Sequence, residues 1–250
     1  MMRGCLLTLA LFVLGSATLP LRAGLITNGS FEVSTPGVTP GTFTDFLAGS
    51  TGITGWTVVG TNDVNLISGT FAQECCTFPA EDGNLWVDLT GTNANVVDGV
   101  EQTVATTAGT NYTLTFWVGN IFDPGGIFGT TSSVQVRLGG ISGTSLGTFT
   151  NSSTTPGIQV WQQFSTSFTA AGPSTTIDFL NADPIFDNTN GLDNVSLIAN
   201  ASSVPEPGTL GLLSAALVGI GLRKCRRQSM SPRVSVGGNS TQTGVTVAIR

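Results

Sequence analysis

The side chains that could do chemistry in this 250-residue chain are mainly carboxylates, because the chain contains no histidine. Without histidine it cannot carry out Ser-His-Asp or Cys-His catalysis, or build a histidine-ligated zinc or haem site. Two carboxyl groups alone can hydrolyse a glycosidic bond that lies between them. The candidates are Glu32, Glu74, Glu81, Asp82, Asp88, Glu101 and Asp178. An acid in such a chain more often bonds turn backbone or stays on the surface, and no motif assigns acid and base roles. We therefore predict that the protein is not an enzyme.

Aromatic side chains indicate a second kind of chemistry, the binding of sugars. An exposed ring can stack on the apolar C–H face of a sugar while neighbouring polar groups bond its hydroxyls. Trp117 lies among threonines, on the opposite face of its segment from the apolar residues, and Trp86 alternates in the same way with Asp88 beside it in phase. We predict Trp86, Asp88 and Trp117 as glycan contacts. The alternative is that both tryptophans are buried, as tryptophan commonly is in a two-sheet sandwich.

The elements that must position these residues are short strands. Apolar residues alternate with polar ones in eight segments, separated by clusters of Gly, Asn, Thr, Ser and Pro, and no stretch has a helical period. The segments are 63–67, 85–89, 100–104, 111–118, 134–138, 161–168, 176–180 and 194–198. The pattern predicts an all-β domain over residues 24–201, built as two packed antiparallel sheets.

Charge is distributed unevenly along the chain. Between residues 24 and 200 there are fourteen Asp and Glu residues and a single basic residue, Arg137. Nucleic-acid binding depends on Lys and Arg that neutralise phosphates. We therefore exclude nucleic acid as a partner.

The N-terminal residues 1–23 have the pattern of a secretory signal peptide. Arg3 precedes an apolar run of about ten residues, which is too short to span a bilayer, and small residues follow. Cleavage after Ala17 and cleavage after Ala23 both fit. The predicted location is outside the cell.

Residues 204–227 combine three features of a sorting signal. Pro205, Glu206 and Pro207 precede the apolar segment 210–222, and the basic cluster 223–227 follows. Proline keeps the chain extended for a protease, and a basic cluster stays on the cytoplasmic side of a membrane. The segment resembles the PEP-CTERM sorting signal, which implies transient anchoring by an apolar helix and cleavage by an exosortase. Residues 228–250 are either a disordered tail or an incorrectly assigned chain end.

Cysteines contribute little to the expected chemistry. Cys5 and Cys225 lie in the terminal segments, so the domain retains the adjacent pair Cys75 and Cys76. In an oxidising compartment this pair either forms a disulfide between neighbours, which stiffens the loop after Phe71, or bridges two molecules. No Cys-x-x-Cys spacing is present for metal or redox chemistry.

The order of motifs along the domain resembles the choice-of-anchor C family of secreted proteins. The motifs are Asn-Gly-Ser-Phe-Glu at 28–32, the segment 82–91, the segment 109–116, and Asp-Asn-Val-Ser-Leu at 193–197. The resemblance implies a galactose-binding-like jelly-roll β-sandwich, related in shape to carbohydrate-binding modules, with no catalytic residues.

The same resemblance implies a structural calcium ion. A jelly roll brings early and late strands together, so Glu32 and Asp193 are expected to become neighbours, and carboxylate oxygens suit Ca²⁺. The alternative is that Glu32 is a surface residue and that Asp193 and Asn194 form a turn without an ion.

These observations together predict an exported, non-catalytic component of the bacterial cell surface or extracellular matrix that binds polysaccharide. Two alternatives stay open. One is a purely structural or adhesive matrix protein without a small ligand, and the other is a carboxylate-dependent glycoside hydrolase.

Overall fold

The computed structural model describes residues 24–92, 97–184 and 188–200, and this part of the chain contains strands and no helix. The strands are β1 (Phe43–Leu47), β2 (Thr57–Val59), β3 (Asp63–Ser68), β4 (Ala72–Gln73), β5 (Cys76–Thr77), β6 (Leu85–Asp88), β7 (Gly99–Ala105), β8 (Asn111–Asn120), β9 (Ser132–Leu138), β10 (Thr144–Asn151), β11 (Val160–Thr169), β12 (Ser174–Asn181) and β13 (Gly191–Ala199). The predicted signal peptide, sorting signal and C-terminal tail lie outside the described residues. Among the described residues, no element is a helix that could cross a membrane.

The strands form two antiparallel sheets and one small hairpin. The six-stranded sheet has the order β1-β3-β6-β13-β8-β11, and the five-stranded sheet has the order β10-β9-β12-β7-β2. Strands β4 and β5 pair with each other, and Thr77 of β5 also forms an isolated bridge with Ile158. The predicted all-β, two-sheet antiparallel sandwich is confirmed.

The main core lies between the two sheets and follows from alternation along each strand. In β8, Leu114 and Phe116 are buried whereas Thr113, Thr115 and Trp117 on the other face are half-buried. The Phe116 ring meets Phe179 of the opposite sheet edge-on, with ring centroids 5.2 Å apart. Side chains of this size on inward-facing positions seal the sheets against each other.

A second, smaller core covers the outer face of the six-stranded sheet. Its buried members come from two strands, the β4–β5 hairpin and the loops around it: Ile67, Cys76, Phe78, Trp86, Ile121 and Phe128. Because these loops fold back over the sheet, the outward positions of β3 and β6 are buried as well as the inward ones. The candidate site lies beside this second core.

Strand prediction succeeded where alternation is strong. Each of the eight predicted segments corresponds to an observed strand. Five strands were missed: β4 and β5 have two residues each, β2 has three, and β1 and β10 are edge strands with largely exposed side chains. The β10 segment is rich in Thr, Ser and Gly, and its pairing with β9 is interrupted by a bulge at Gly147, so it carries little periodic signal.

Candidate functional site

A cavity of about 340 Å³ opens on the outer face of the six-stranded sheet. This volume is in the range of small-ligand sites. Its lining combines aromatic rings with polar side chains: Phe43, Asn65, Ile67, Phe71, Gln73, Phe78, Trp86, Asp88, Gly91, Thr92, Ile127, Phe128, Asn188 and Thr189. Two of the three predicted glycan contacts, Trp86 and Asp88, therefore line one cavity.

The register between β3 and β6 brings two polar side chains together at one end of the cavity. Asn65 pairs directly with Asp88, and Ile67 pairs with Trp86. The residues between them, Leu66 and Val87, point into the main core and are fully buried. Since side chains alternate across a strand, this anchoring turns Asn65 and Asp88 outward into the cavity.

One carboxylate oxygen of Asp88 accepts hydrogen bonds from the protein, and the other is available to a ligand. Oδ1 accepts hydrogen bonds from the Thr90 backbone N–H (3.1 Å), the Thr90 hydroxyl (2.6 Å) and the Asn190 backbone N–H (2.9 Å). Within the described residues no donor bonds Oδ2. Burial raises the pKa of Asp88 to about 6.

Asn65 is a buried polar side chain whose amide oxygen lacks a partner. The residue is 5% exposed, and its Oδ1 atom accepts no hydrogen bond from the described part of the chain. A buried acceptor left unbonded costs about 1–3 kcal/mol. Asn65 lines the cavity, but this oxygen is itself buried, so a ligand can bond it only after the amide turns toward the cavity.

Trp86 supports the cavity floor rather than offering an open ring. It is 1% exposed, its Nε1–H donates to the Phe78 carbonyl at 3.1 Å, and the Phe78 ring stacks on it at 6.2 Å. The ring at the rim is Phe43, which is 40% exposed and meets Phe71 edge-on at 5.6 Å. Sequence reasoning missed Phe43 because it lies on an edge strand with a weak pattern.

Trp117 lies elsewhere on the same sheet face. It is half-buried on β8, paired with Gln163 of β11 and Asp193 of β13, and it does not line the cavity. The structure therefore does not bring the two predicted tryptophan contacts into one site.

Trp161 packs on the outer face of the sheet beside the cavity. Its ring lies over Gly119 and Gly191, where an added Cβ would be 2.9 Å from the ring. It meets Trp86 edge-on at 5.9 Å, and its Nε1–H donates to the Pro79 carbonyl at 2.8 Å. The two glycines are thus required for the ring to pack this closely.

Glu32 and Asp193, the predicted calcium ligands, both bind the backbone of the loop 81–85. Asp193 Oδ2 accepts from the backbone N–H groups of Glu81 (2.9 Å) and Asp82 (3.0 Å), and its Oδ1 accepts from the Asn194 N–H (2.7 Å). Glu32 Oε1 accepts from the backbone N–H groups at positions 84 and 85, at 2.7 and 2.8 Å. Burial raises the pKa of Asp193 to about 8.

This arrangement does not fit an ion shared by Glu32 and Asp193. N–H dipoles point at the oxygens that a cation would need, and Ca²⁺ takes six to eight oxygen ligands. Among the described residues no three acidic, His or Cys side chains are grouped to hold a metal. Both residues act as clamps on the loop, and calcium binding stays a prediction.

Among the described residues, no pair of carboxyl groups lines either of two cavities. The described lining of the first contains one acid, Asp88, and that of a second, near the 81–85 loop, contains one, Glu32. Glu101 and Asp178 are cross-strand neighbours on β7 and β12 of the other sheet. Burial, together with the neighbouring Glu101, raises the pKa of Asp178 to about 6.

Cys75 and Cys76 are joined as a disulfide between neighbours at the end of the β4–β5 hairpin. Cys76 is buried in the second core, whereas Cys75 is exposed. The hairpin region also supplies Phe71, Gln73 and Phe78 to the cavity wall. The disulfide therefore lies in the segment that shapes the cavity.

Comparison with protein families gives two matches. The family described as "Protein of unknown function (DUF642)" matches residues 24–197, and the PEP-CTERM protein-sorting motif matches residues 203–227. The second match confirms the predicted sorting signal around Pro205, Glu206 and Pro207, and it marks the chain as an exported protein sorted through its C-terminal region. The name choice-of-anchor C stays a prediction. No curated protein matches the chain.

Several solved structures have a similar fold. A CBM4 module matches with 19% identity and a TM-score of 0.35, covering 70% of this chain and 99% of the other. TmCBM61 in complex with β-1,4-galactotriose matches with 14% identity and a TM-score of 0.37, covering 72% of this chain and 100% of the other. The CBM22-1–GH10 modules of Clostridium thermocellum xylanase Xyn10B, in complex with xylohexaose, match with 14% identity and a TM-score of 0.39. The match covers 67% of this chain and 30% of the other. For three other matched structures the chain spans 64%, 21% and 27% of their length. At such identities and TM-scores they carry no functional conclusion.

Proposed function

The chain belongs to the DUF642 family, and we propose that its β-sandwich is a non-catalytic module that binds polysaccharide at the cell surface or in the extracellular matrix. The finer resemblance to choice-of-anchor C proteins, which carry interchangeable C-terminal anchors, agrees with this placement. The signal peptide, the exosortase cleavage and the final matrix location belong to the proposal.

The observation that carries the proposal is the chemistry of the first cavity. Its rim presents the Phe43 and Phe71 rings, and its polar end is lined by Asn65 and Asp88. A sugar offers an apolar C–H face to an aromatic ring and hydroxyl groups to amides and carboxylates. One monosaccharide unit of a chain that enters the cavity can use both kinds of contact.

The proposal of a non-catalytic role rests on the distribution of carboxyl groups. Glycoside hydrolysis needs two carboxyl groups on either side of the bond to be cleaved. In the first cavity Asp88 is the one acid among the described lining residues. A matrix protein without a small ligand is the second candidate, favoured by the many Thr and Ser side chains on the outer positions of β8 and β11.

The test is a glycan array probed with the purified protein, followed by calorimetry on the best polysaccharide. Phe43→Ala removes an exposed ring at the rim, and Asn65→Ala removes the unpartnered amide, so both are expected to weaken binding by about tenfold. Thr113→Ala, on the same sheet face but outside the cavity, is the matched control and should leave the affinity unchanged. Absence of binding to any extracellular polysaccharide would defeat the proposal.

Trp117 is proposed as a separate contact and needs its own variant. Trp117→Ala removes a half-buried ring outside the cavity. A loss of affinity in this variant, with the folded structure retained by circular dichroism, would extend the site along the sheet. An unchanged affinity would confine the site to the cavity.

A further inference from the structure

We propose that the polar end of this cavity binds the ammonium group of an amino sugar, such as a deacetylated glucosamine unit of a polysaccharide. The inference rests on the proposed function and names the class of sugar that the site selects. It is carried by an unpartnered amide and an available carboxylate oxygen on paired strands, in a body that has almost no cations.

The two groups lie close enough to bind one ligand atom. Asn65 and Asp88 are direct cross-strand partners on the same face, and the Cβ atoms of such pairs lie about 4.5–5.5 Å apart. Asn65 is 5% exposed, and its Oδ1 accepts no hydrogen bond from the described residues. A turn of the Asn65 amide about χ2 would bring its oxygen to the cavity, where it and Asp88 Oδ2 would form two acceptors for one N–H donor group.

The surrounding charge favours a cationic donor over a neutral one. Asp45 pairs with Asn65 from β1, and Asp63 lies on β3 itself, near enough for its charge to act on both Asp45 and Asp88. The one basic side chain between residues 24 and 200, Arg137, is on the five-stranded sheet, where it donates to Gln135 and Gly143. A buried carboxylate without a counter-ion is costly. An ammonium group on the ligand would neutralise it.

The same charge distribution excludes acidic sugars from this end of the cavity. A uronate or a sulfated sugar would place a second negative group beside Asp88, and none of the described residues that line the cavity is basic. Like charges at short range in a poorly solvated site repel each other. Selection between sugars is therefore expected to follow the charge of the group at the polar end.

The experiment compares three β-1,4-linked hexasaccharides that differ at carbon 2 of each sugar. They are the glucosamine hexamer with an ammonium group, the N-acetylglucosamine hexamer with an acetamide, and cellohexaose with a hydroxyl. Calorimetry on the full chain at neutral pH should show the glucosamine hexamer binding about tenfold or more tightly than either of the others, which is the scale of one charge-assisted hydrogen bond.

Two variants separate the site from general attraction to an acidic protein. Asp88→Asn keeps an acceptor for Thr90 and Asn190 but removes the charge, and it should abolish the preference for the glucosamine hexamer over cellohexaose. Asp82→Asn removes one exposed charge outside the cavity and should retain the preference. An oligolysine of six residues should bind more weakly than the glucosamine hexamer.

The outcomes distinguish this inference from the proposed function. Equal binding of the three hexasaccharides, a similar loss in both variants, or equally tight oligolysine binding would overturn the amino-sugar inference and leave glycan binding intact. If none of the hexasaccharides binds but the array identifies another glycan that depends on Asn65, the inference alone fails. If no glycan binds, both proposals fail. Should Asp88→Asn not fold, the hexasaccharide series on the unmodified protein still decides.

Discussion

Replacing Glu32 with alanine is expected to destabilise the domain by about 2 kcal/mol, because its carboxylate holds the 81–85 loop. Glu32 Oε1 accepts two backbone N–H bonds, at 2.7 and 2.8 Å, from residues more than fifty positions away in sequence. A hydrogen bond to a charged group contributes about 1.5–3 kcal/mol. One of the two donors, on Asn84, is exposed and can bond water instead, so we count only the bond to the half-buried Leu85 at full value.

The magnitude can be measured by thermal unfolding. In a domain of this size, about 2 kcal/mol corresponds to a fall in Tm of about 4–8 °C. Glu32→Gln keeps a neutral acceptor at the same position and should lose about 1 kcal/mol or less. The order of stabilities is therefore expected to be wild type, then glutamine, then alanine.

The same measurement decides between the clamp and the predicted calcium site. If Glu32 acts only as a clamp, Tm of the wild-type protein is the same in calcium and in a chelator. A ligand that binds only the folded state raises stability in proportion to RT ln(1 + [L]/Kd). If calcium raises the wild-type Tm and Glu32→Gln removes that increase, the clamp reasoning is refuted and the calcium prediction stands.

Three further predictions follow from buried acids, close glycine packing and the hairpin disulfide. Burial raises the pKa of Asp178 to about 6 and that of Asp193 to about 8. The folded state therefore keeps protons that the unfolded state releases. The Tm should fall as pH rises from about 5 to about 8. A flat or rising Tm over that interval would contradict this, and Asp178→Asn should make the fall below about pH 6 less steep, because Asp88 and Asp193 still contribute there. Gly191→Ala places a Cβ 2.9 Å from the Trp161 ring and should cost about 1–3 kcal/mol by overpacking. Gly172→Ala, with no atom nearer than 3.9 Å, is its control in the same unfolding assay. Reducing the disulfide opens a loop of only two residues, so urea titration should show a loss of about 1 kcal/mol at most, and a larger loss would mean that the bond holds the second core.

The class of fold could be predicted because its signal is local. Alternation in segments such as Asn111–Asn120 assigns each side chain to a face without knowledge of the partner strand. The prediction failed for Phe43–Leu47 and Thr144–Asn151, where an edge strand exposes most of its side chains and no alternation is required. Phe43, the exposed ring at the cavity rim, was missed for that reason.

The candidate site could be predicted only in part. Alternation placed Trp86 and Asp88 on the outer face of their strand, and both line the cavity. It could not indicate that Phe78 covers Trp86, because that contact depends on how the hairpin loop folds back over the sheet. Asn65 carried no sequence signal, since an Asn in a strand is conspicuous only when its bonding partners are known to be missing.

The amino-acid sequence by itself determined the all-β class, the acidic body, the absence of histidine chemistry and the C-terminal sorting signal, because each depends on composition or on neighbours along the chain. The tertiary structure decided which outward-facing residues share a cavity, and it showed that Glu32 and Asp193 accept hydrogen bonds from loop N–H groups. The physical reason is that strand register and loop closure join residues that are dozens of positions apart. No local pattern of side chains specifies such a pairing.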